Sequence, residues 1–303
     1  MNSSSVTLSA SGVAAVPDHP ESSAPRRRGS ALSWRSSKRW IVIVPGVIFA
    51  IFPVYWMLTS ALKATPELYA VRPTLYPHAL SLEQFRDALG DGTLLAATMN
   101  SAVVAVSAAL VVVVFGSAAA YAVTQWAFPG VQGVQGLTLF TQLLPAAATV
   151  VPIYLLWAKL GWIGNLGGLG MLYSIISMPV AVWMLIGFFR SIPYELTEAG
   201  LVDGASRIRI LWSIILPIAR PSLVAVGIYV LISCWGEFFF ALVFLGQDSR
   251  TTTVALSATI GEHNTNIGPL MAASAVSTLV PLVIFFALQR QFVSGLTSGA
   301  VKA

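Results

Sequence analysis

The chain has a single cysteine, three histidines and few charges, and each shortage removes a class of chemistry. Cys234 has no intrachain partner for a disulfide, and its place in an apolar run gives no sign of redox work. His19, His78 and His263 are far apart in the sequence, with no HExxH pair and no nucleophile elbow. A membrane enzyme would need such groups to converge, and a metal site has no motif here. No GxxxxGK followed by Ser or Thr occurs either, so ATP hydrolysis, if coupled to this chain, falls to another polypeptide. Charged residues make up 10% of the sequence, and none falls between Asp91 and Lys159 or between Lys159 and Arg190.

What is present is apolar. The 303 residues are 56% hydrophobic with a mean hydropathy of +0.78, too apolar to clothe a soluble domain. The charge-free gaps hold helices of roughly 20 residues, the length that crosses a ~30 Å hydrocarbon core. The pattern predicts an all-α membrane protein with six transmembrane helices, at about 40–62, 95–122, 135–158, 170–190, 222–245 and 270–289. A β-barrel would need short alternating segments instead of runs such as 101–122.

Basic residues are retained on the cytoplasmic side, so their distribution sets orientation. With the amino terminus inside, Arg26, Arg27, Arg28, Arg35, Lys38, Arg39, Arg190, Arg207, Arg209, Arg220, Arg290 and Lys302 are cytoplasmic. Lys63, Arg72, Arg86, Lys159 and Arg250 are then outside. The bias predicts a multi-pass membrane protein with both termini cytoplasmic, and it accounts for the net charge of +5 without a nucleic-acid partner. Three regions follow: a disordered cytoplasmic tail over 1–34, rich in Ser, Ala and Pro; a transmembrane domain over 35–290; and a cytoplasmic tail over 291–303. The first apolar run, beginning only after Lys38 and Arg39, is long enough to span and is expected to stay as a helix, uncleaved.

One loop, 191–221 between the fourth and fifth spans, stands apart. With Arg190 it carries Glu195, Glu198, Asp203, Arg207, Arg209 and Arg220, yet keeps helical periodicity. Pro193 suits a first helical turn, and Glu195 and Glu198 follow where the helix dipole favours anions. Gly204 is expected to end that helix, since glycine takes positive φ without a Cβ clash. A second helix restarts at Ser206 with Ile210, Leu211, Ile214 and Ile215 on one face, and Pro217 and Pro221 close it. The result is a helix, a tight turn and a second helix.

The stretch Glu198-Ala199-Gly200-Leu201-Val202-Asp203-Gly204-Ala205-Ser206-Arg207, continuing to Leu216-Pro217, resembles the cytoplasmic motif of binding-protein-dependent ABC importer permeases. Gly200 departs from it, standing where the family usually has its second alanine. Phe52 to Met57 with Ser60 and Lys63, then Asn100-Ser101, Ala120-Tyr121-Ala122, Trp235-Gly236-Glu237-Phe238 and the ending from Gln289 to Lys302 extend the likeness along the chain. Together they resemble the second permease subunit of maltose-type carbohydrate importers. The resemblance implies a type I importer fold with a coupling helix-turn-helix. Its ATPase contacts would be Glu198, Ala199, Gly200, Asp203, Gly204, Ala205, Arg207, Leu216 and Pro217. It also implies a second permease subunit, two ATPase subunits that bind ATP and Mg, and an extracytoplasmic solute-binding protein, with no cofactor on this chain.

Glu237 is the one ionisable side chain well inside an expected span, where charge is costly. It reads either as part of the translocation pathway or as a buried pairing or capping group. Trp235 and Tyr154, and more weakly Gln142 and Trp183, are the other pathway candidates, against packing or interfacial anchoring. An ion-driven secondary transporter would show inverted repeats and more intramembrane carboxylates. A permease for a non-sugar solute stays open as an alternative.

Overall fold

The computed structural model describes residues 31–125, 140–260 and 266–300 with the single positions 133 and 136; for 31–39, 42 and 291–300 it describes backbone alone. Among the described residues the regular elements are all helical. In chain order they are α1 (Ala31–Ala61), α2 (Thr65–Leu68), α3 (Glu83–Leu89), α4 (Thr93–Gln125), α5 (Ala146–Lys159) and α6 (Leu166–Phe189). The hairpin helices α7 (Glu195–Val202) and α8 (Arg207–Ile218) follow, then α9 (Arg220–Trp235), α10 (Phe239–Phe244), α11 (Thr252–Ala258) and α12 (Ile267–Ala300).

Four of these are long and apolar enough to cross a membrane: α1 over Ile43–Ala61, α4, α6, and α12 over Ile267–Arg290. The pair α8 and α9, bent by 81°, meets the same test as a fifth. The third expected span, 135–158, falls partly outside the described residues; within them it comprises a 3-10 turn at Thr141–Leu143 and α5, of 14 residues. Most of the amino-terminal tail and its basic cluster at Arg26 to Arg28 also lie outside the described residues, while at the other end α12 continues as helix past Arg290 to Ala300.

The chain separates into two compact units, Met1–Phe52 and Pro53–Ala303. In the first, Trp40, Ile41, Ile48 and Phe49 are exposed, the surface of a helix whose solvent is lipid. In the second, α4 packs on α6 and α9, and α9 packs on α12. Close approach comes from small residues: Ala97, Ala105, Ala108, Ala109 and Ala120 are all buried along α4. Helices in lipid gain little from hydrophobic exclusion and associate through such tight contacts. Leu169, Leu172 and Leu185 of α6 and Val226 and Val230 of α9 fill the space between.

The start of α6 is fixed locally. Asn165 caps it, accepting the Gly167 N–H at 2.7 Å, and the Trp157 indole donates to the Gly168 carbonyl at 2.9 Å. The turn before it runs so close that a Cβ on Gly168 would lie 2.4 Å from the Trp162 carbonyl oxygen. The segment after α1 is tied with equal economy. Lys63 is buried, its ammonium donating to the Thr74 carbonyl and lying 5.0 Å from the centre of the Trp56 ring. Gln84 of α3, 1% exposed, donates to the carbonyl of Lys63 and the hydroxyl of Thr65. Glu67 accepts the Thr74 hydroxyl at 2.7 Å and the His78 backbone N–H, and pairs with the His78 ring at 2.8 Å.

Gly168→Ala should cost about 1–3 kcal/mol, because backbone must move to admit the methyl group. Gly187→Ala, where a Cβ meets nothing within 4 Å, should cost nothing or gain up to ~1 kcal/mol of helix propensity. Thermal midpoints of the two purified variants decide this, and equal midpoints would dismiss the contact. The hydrogen bonds from Thr74 first, and then from His78, hold the Glu67 carboxyl below its ordinary value of 4.5. A depressed carboxyl stabilises the fold above its unfolded value, and that contribution disappears as pH falls through the lowered one. Amide protection factors across 63–82, observed rates compared with intrinsic rates at the same pH, should therefore fall below about pH 4.5, and Glu67→Gln should show the lower protection already at neutral pH.

Candidate functional site

The hairpin α7–α8 is built from short-range rules. Pro193 precedes α7, and Glu195 and Glu198 occupy its first turn. At the other end Gly204 takes φ 78°, the N–H of Ala205 reaches the carbonyl of Gly200 at 2.9 Å, and that of Gly204 reaches Leu201 at 3.0 Å. This pair of bonds is the Schellman arrangement, which a residue in left-handed conformation makes possible. Ser206 then caps α8, its hydroxyl accepting the Arg209 N–H at 3.3 Å. Between Leu211 and Ile215 the helix widens to a π turn, and the chain bends at Ala219 into α9.

The hairpin closes on itself. Ile210 and Ile215 are buried and Ile214 packs beside them. Gly200 is turned inward: a Cβ there would meet Ile210 at 3.0 Å and Ile214 at 3.3 Å. An alanine in this place would crowd Ile210, which gives the departure from the family pattern a packing reason. Of the other sequence-predicted contacts, Glu198, Ala199, Asp203, Gly204 and Pro217 are exposed, and Ala205, Arg207 and Leu216 are half-buried. Sequence reasoning missed the apolar tip. Val202 is 87% exposed and Ile208 72% exposed, on either side of the Gly204 turn. Two bare aliphatic side chains between charged neighbours are an arrangement that a partner surface would cover.

The second site lies where α9 breaks. Gly236 ends α9, α10 begins at Phe239, and Glu237 bridges the gap. Its carboxylate accepts the N–H groups of Phe240 at 3.0 Å and Ala241 at 3.2 Å, and the Tyr173 hydroxyl at 2.5 Å. Its own carbonyl accepts the Thr253 hydroxyl at 2.8 Å. Nearby, the Ser101 hydroxyl accepts the Thr252 N–H and the Asn100 amide donates to the Arg250 carbonyl, tying α4 to the start of α11.

The same carboxylate lines a hollow of about 170 Å³ with Gln142, Tyr173, Ser177, Tyr229 and Ser233. An adjoining hollow of about 300 Å³ shares Gln142, Ile176 and Phe240 with it and is otherwise lined mainly by apolar groups such as Ile153, Ile175 and Pro179. Glu237 thus caps α10 while lining a hollow. Gln142 stands at the junction of the hollows, its amide donating to the Ile176 carbonyl at 3.1 Å. Trp235 is buried in the helix core and Tyr154 packs edge-on against Phe244 at 5.6 Å; neither lines the hollows. Trp183 is exposed on α6. Tyr173, Ser177, Tyr229 and Ser233 went unnoticed in the sequence. The signal for them is spacing: Tyr173 and Ser177 on α6, and Tyr229, Ser233 and Glu237 from α9 onward, recur every four residues and so share a face.

Comparison with known proteins places these features. A family model described as the binding-protein-dependent transport system inner membrane component matches residues 112–298, which include both sites apart from the residues of α4 before position 112. The trehalose/maltose transport system permease protein MalG of Thermococcus litoralis is 35% identical over 273 residues, covering 88% of this chain and 97% of that protein. The melibiose/raffinose/stachyose import permease protein MelC of Bacillus subtilis is 31% identical over 271 residues, covering 88% and 97%. Among solved structures, a chain of a bacterial ABC transporter involved in the import of the acidic polysaccharide alginate superposes with a TM-score of 0.73 at 20% identity, covering 87% of this chain and 99% of that one. The family match over more than half the chain and the relatives matched along nearly their whole length give one answer: this chain belongs to the inner-membrane permease subunits of binding-protein-dependent ABC importers.

Proposed function

We propose that this permease forms half of a translocation pathway for a carbohydrate and is driven by a separate ATPase seated on the α7–α8 hairpin. The observation that carries the coupling is the exposed tip formed by Val202 and Ile208 around the Gly204 turn. A rigid turn with an uncovered apolar end transmits displacement, since its geometry is held by the Schellman bonds and by Gly200 packed on Ile210. Glu198, Asp203 and Arg207 flank the tip and set its register against a charged groove. The carbohydrate rests on what the relatives are named for, trehalose and maltose in one and melibiose, raffinose and stachyose in the other.

On this reading the subunit has six spans, the third falling around 135–158, and both termini face the cytoplasm, the orientation that the basic residues favour. Residues 1–34 and 291–303 lie on that side, and α12, which runs to Ala300, leads toward the ATPases. A second permease completes the pore, two ATPase subunits bind ATP and Mg beneath it, and an external binding protein delivers the solute. ATP acts by favouring one of two arrangements of the helices, and the hairpin carries that preference into the membrane. This chain is the coupler and hydrolyses nothing itself.

Uptake should cease when ATP is depleted while the ion gradient is maintained, and persistence would point to a secondary transporter. Glu198→Lys should lower solute uptake and solute-stimulated ATP hydrolysis together by about tenfold, the loss of ~1.4 kcal/mol of docking, with nucleotide binding unchanged. Gly204→Val forces a β-branched residue into left-handed φ at a cost of about 1–2 kcal/mol and should reduce uptake at unchanged membrane abundance. Normal transport by both variants would refute the coupling role, and strict transport of a non-carbohydrate would refute the sugar.

A further inference from the structure

The hollow at the α9–α10 break is polar on one side only, and its polarity has one sign. Glu237 is its single charged lining residue among the described residues, and no Lys, Arg or His lines it or the adjoining hollow. The hydrogen bonds to this carboxylate all come from donors: two backbone N–H groups and the Tyr173 hydroxyl. Three donors already engage Glu237, which leaves about one acceptor site for a solute beside the charge itself. Around it Ser177, Tyr229, Ser233 and Gln142 present neutral donors and acceptors. Next door, Ile176 and Phe240 offer an apolar wall continuous with the larger hollow.

A negative charge fixed among apolar walls acts over several ångströms, because little water screens it there. An anionic group entering beside Glu237 would leave its hydration shell and meet a like charge, with no cation among the described lining residues to offset it. A neutral molecule rich in hydroxyl groups meets the opposite situation, exchanging water for the four neutral polar side chains while its C–H surface lies on Phe240 and Ile176.

We propose that Glu237 makes this chamber a charge filter, so that the transported solute passes it as an uncharged polyhydroxylated molecule while carboxylated or phosphorylated sugars are rejected. The proposal rests on reading the chamber as part of the pathway, and it assigns solute contact to Gln142, Ser177, Tyr229 and Ser233 and charge selection to Glu237.

Local thiol chemistry tests it without knowledge of the solute. Ser233→Cys in a Cys234→Ala background, in membranes containing the assembled importer, is treated with methanethiosulfonates carrying neutral hydroxyethyl, anionic sulfonatoethyl or cationic trimethylammonioethyl groups. Each rate is divided by that of the same reagent with free 2-mercaptoethanol. The anionic reagent should react about tenfold more slowly than the neutral one and the cationic reagent faster. Glu237→Gln should bring the three rates together, and Ser177→Cys should repeat the order. Equal rates for anionic and neutral reagents in the presence of Glu237, or no reaction at either position, would overturn the filter. Should the Glu237→Gln variant fail to assemble, the order of rates with Glu237 present still decides. The labelling pattern does not depend on carbohydrate uptake, so failure of the sugar reading and failure of the filter are separately visible.

Discussion

A helix interrupted within apolar surroundings leaves N–H groups that no water can satisfy, and this constraint organises the second half of the chain. The break between Trp235 and Phe239 would leave such groups at the start of α10. The Glu237 carboxylate takes two of them, and by accepting the Tyr173 hydroxyl it binds the same break to α6. Thr253 closes on its carbonyl, which sets where α11 begins, and the Asn100-Ser101 pair draws that corner against α4. The Glu237 side chain joins the break to α6, while its backbone carbonyl and the Asn100-Ser101 pair tie the same corner to α11 and α4. Cost and use coincide here: a carboxylate expensive in this setting is retained where it closes a backbone gap and faces a cavity.

The hairpin was legible in the sequence because its determinants are local. Pro193, the paired glutamates, Gly204 and Ser206 each act within a few positions of themselves, so their spacing alone specifies a helix, a left-handed turn and a capped second helix. Its apolar tip was less visible, since Val202 and Ile208 look like any aliphatic residues of a helical repeat until the turn shows that they point away from the packed face. The π turn at Leu211–Ile215 has no signature in these residues that separates it from ordinary helix.

The polar chamber was read only in part. Glu237 drew notice as a lone charge, but Tyr173 and Ser177 belong to one helix, Tyr229 and Ser233 to another, and Gln142 to the turn before α5. Nothing short of their packing brings the three segments together. Trp235 was a pathway candidate, yet it is buried in the helix core. Hydropathy led to six expected spans, of which four apolar helices and a bent fifth are present among the described residues, whereas the 81° bend itself depends on where Pro217, Ala219 and Pro221 fall against the packed hairpin.

The hairpin also has a consequence for biogenesis. The hydrogen bonds at its turn join residues no more than five positions apart, and the packing of Gly200 on Ile210 and Ile214 stays within fourteen. Such short loops close quickly and need no distant part of the polypeptide. As the nascent chain leaves the ribosome, this segment can reach its final shape before the helices that follow it have been made. The hairpin can then take its shape early in synthesis, ahead of the contacts that join distant helices.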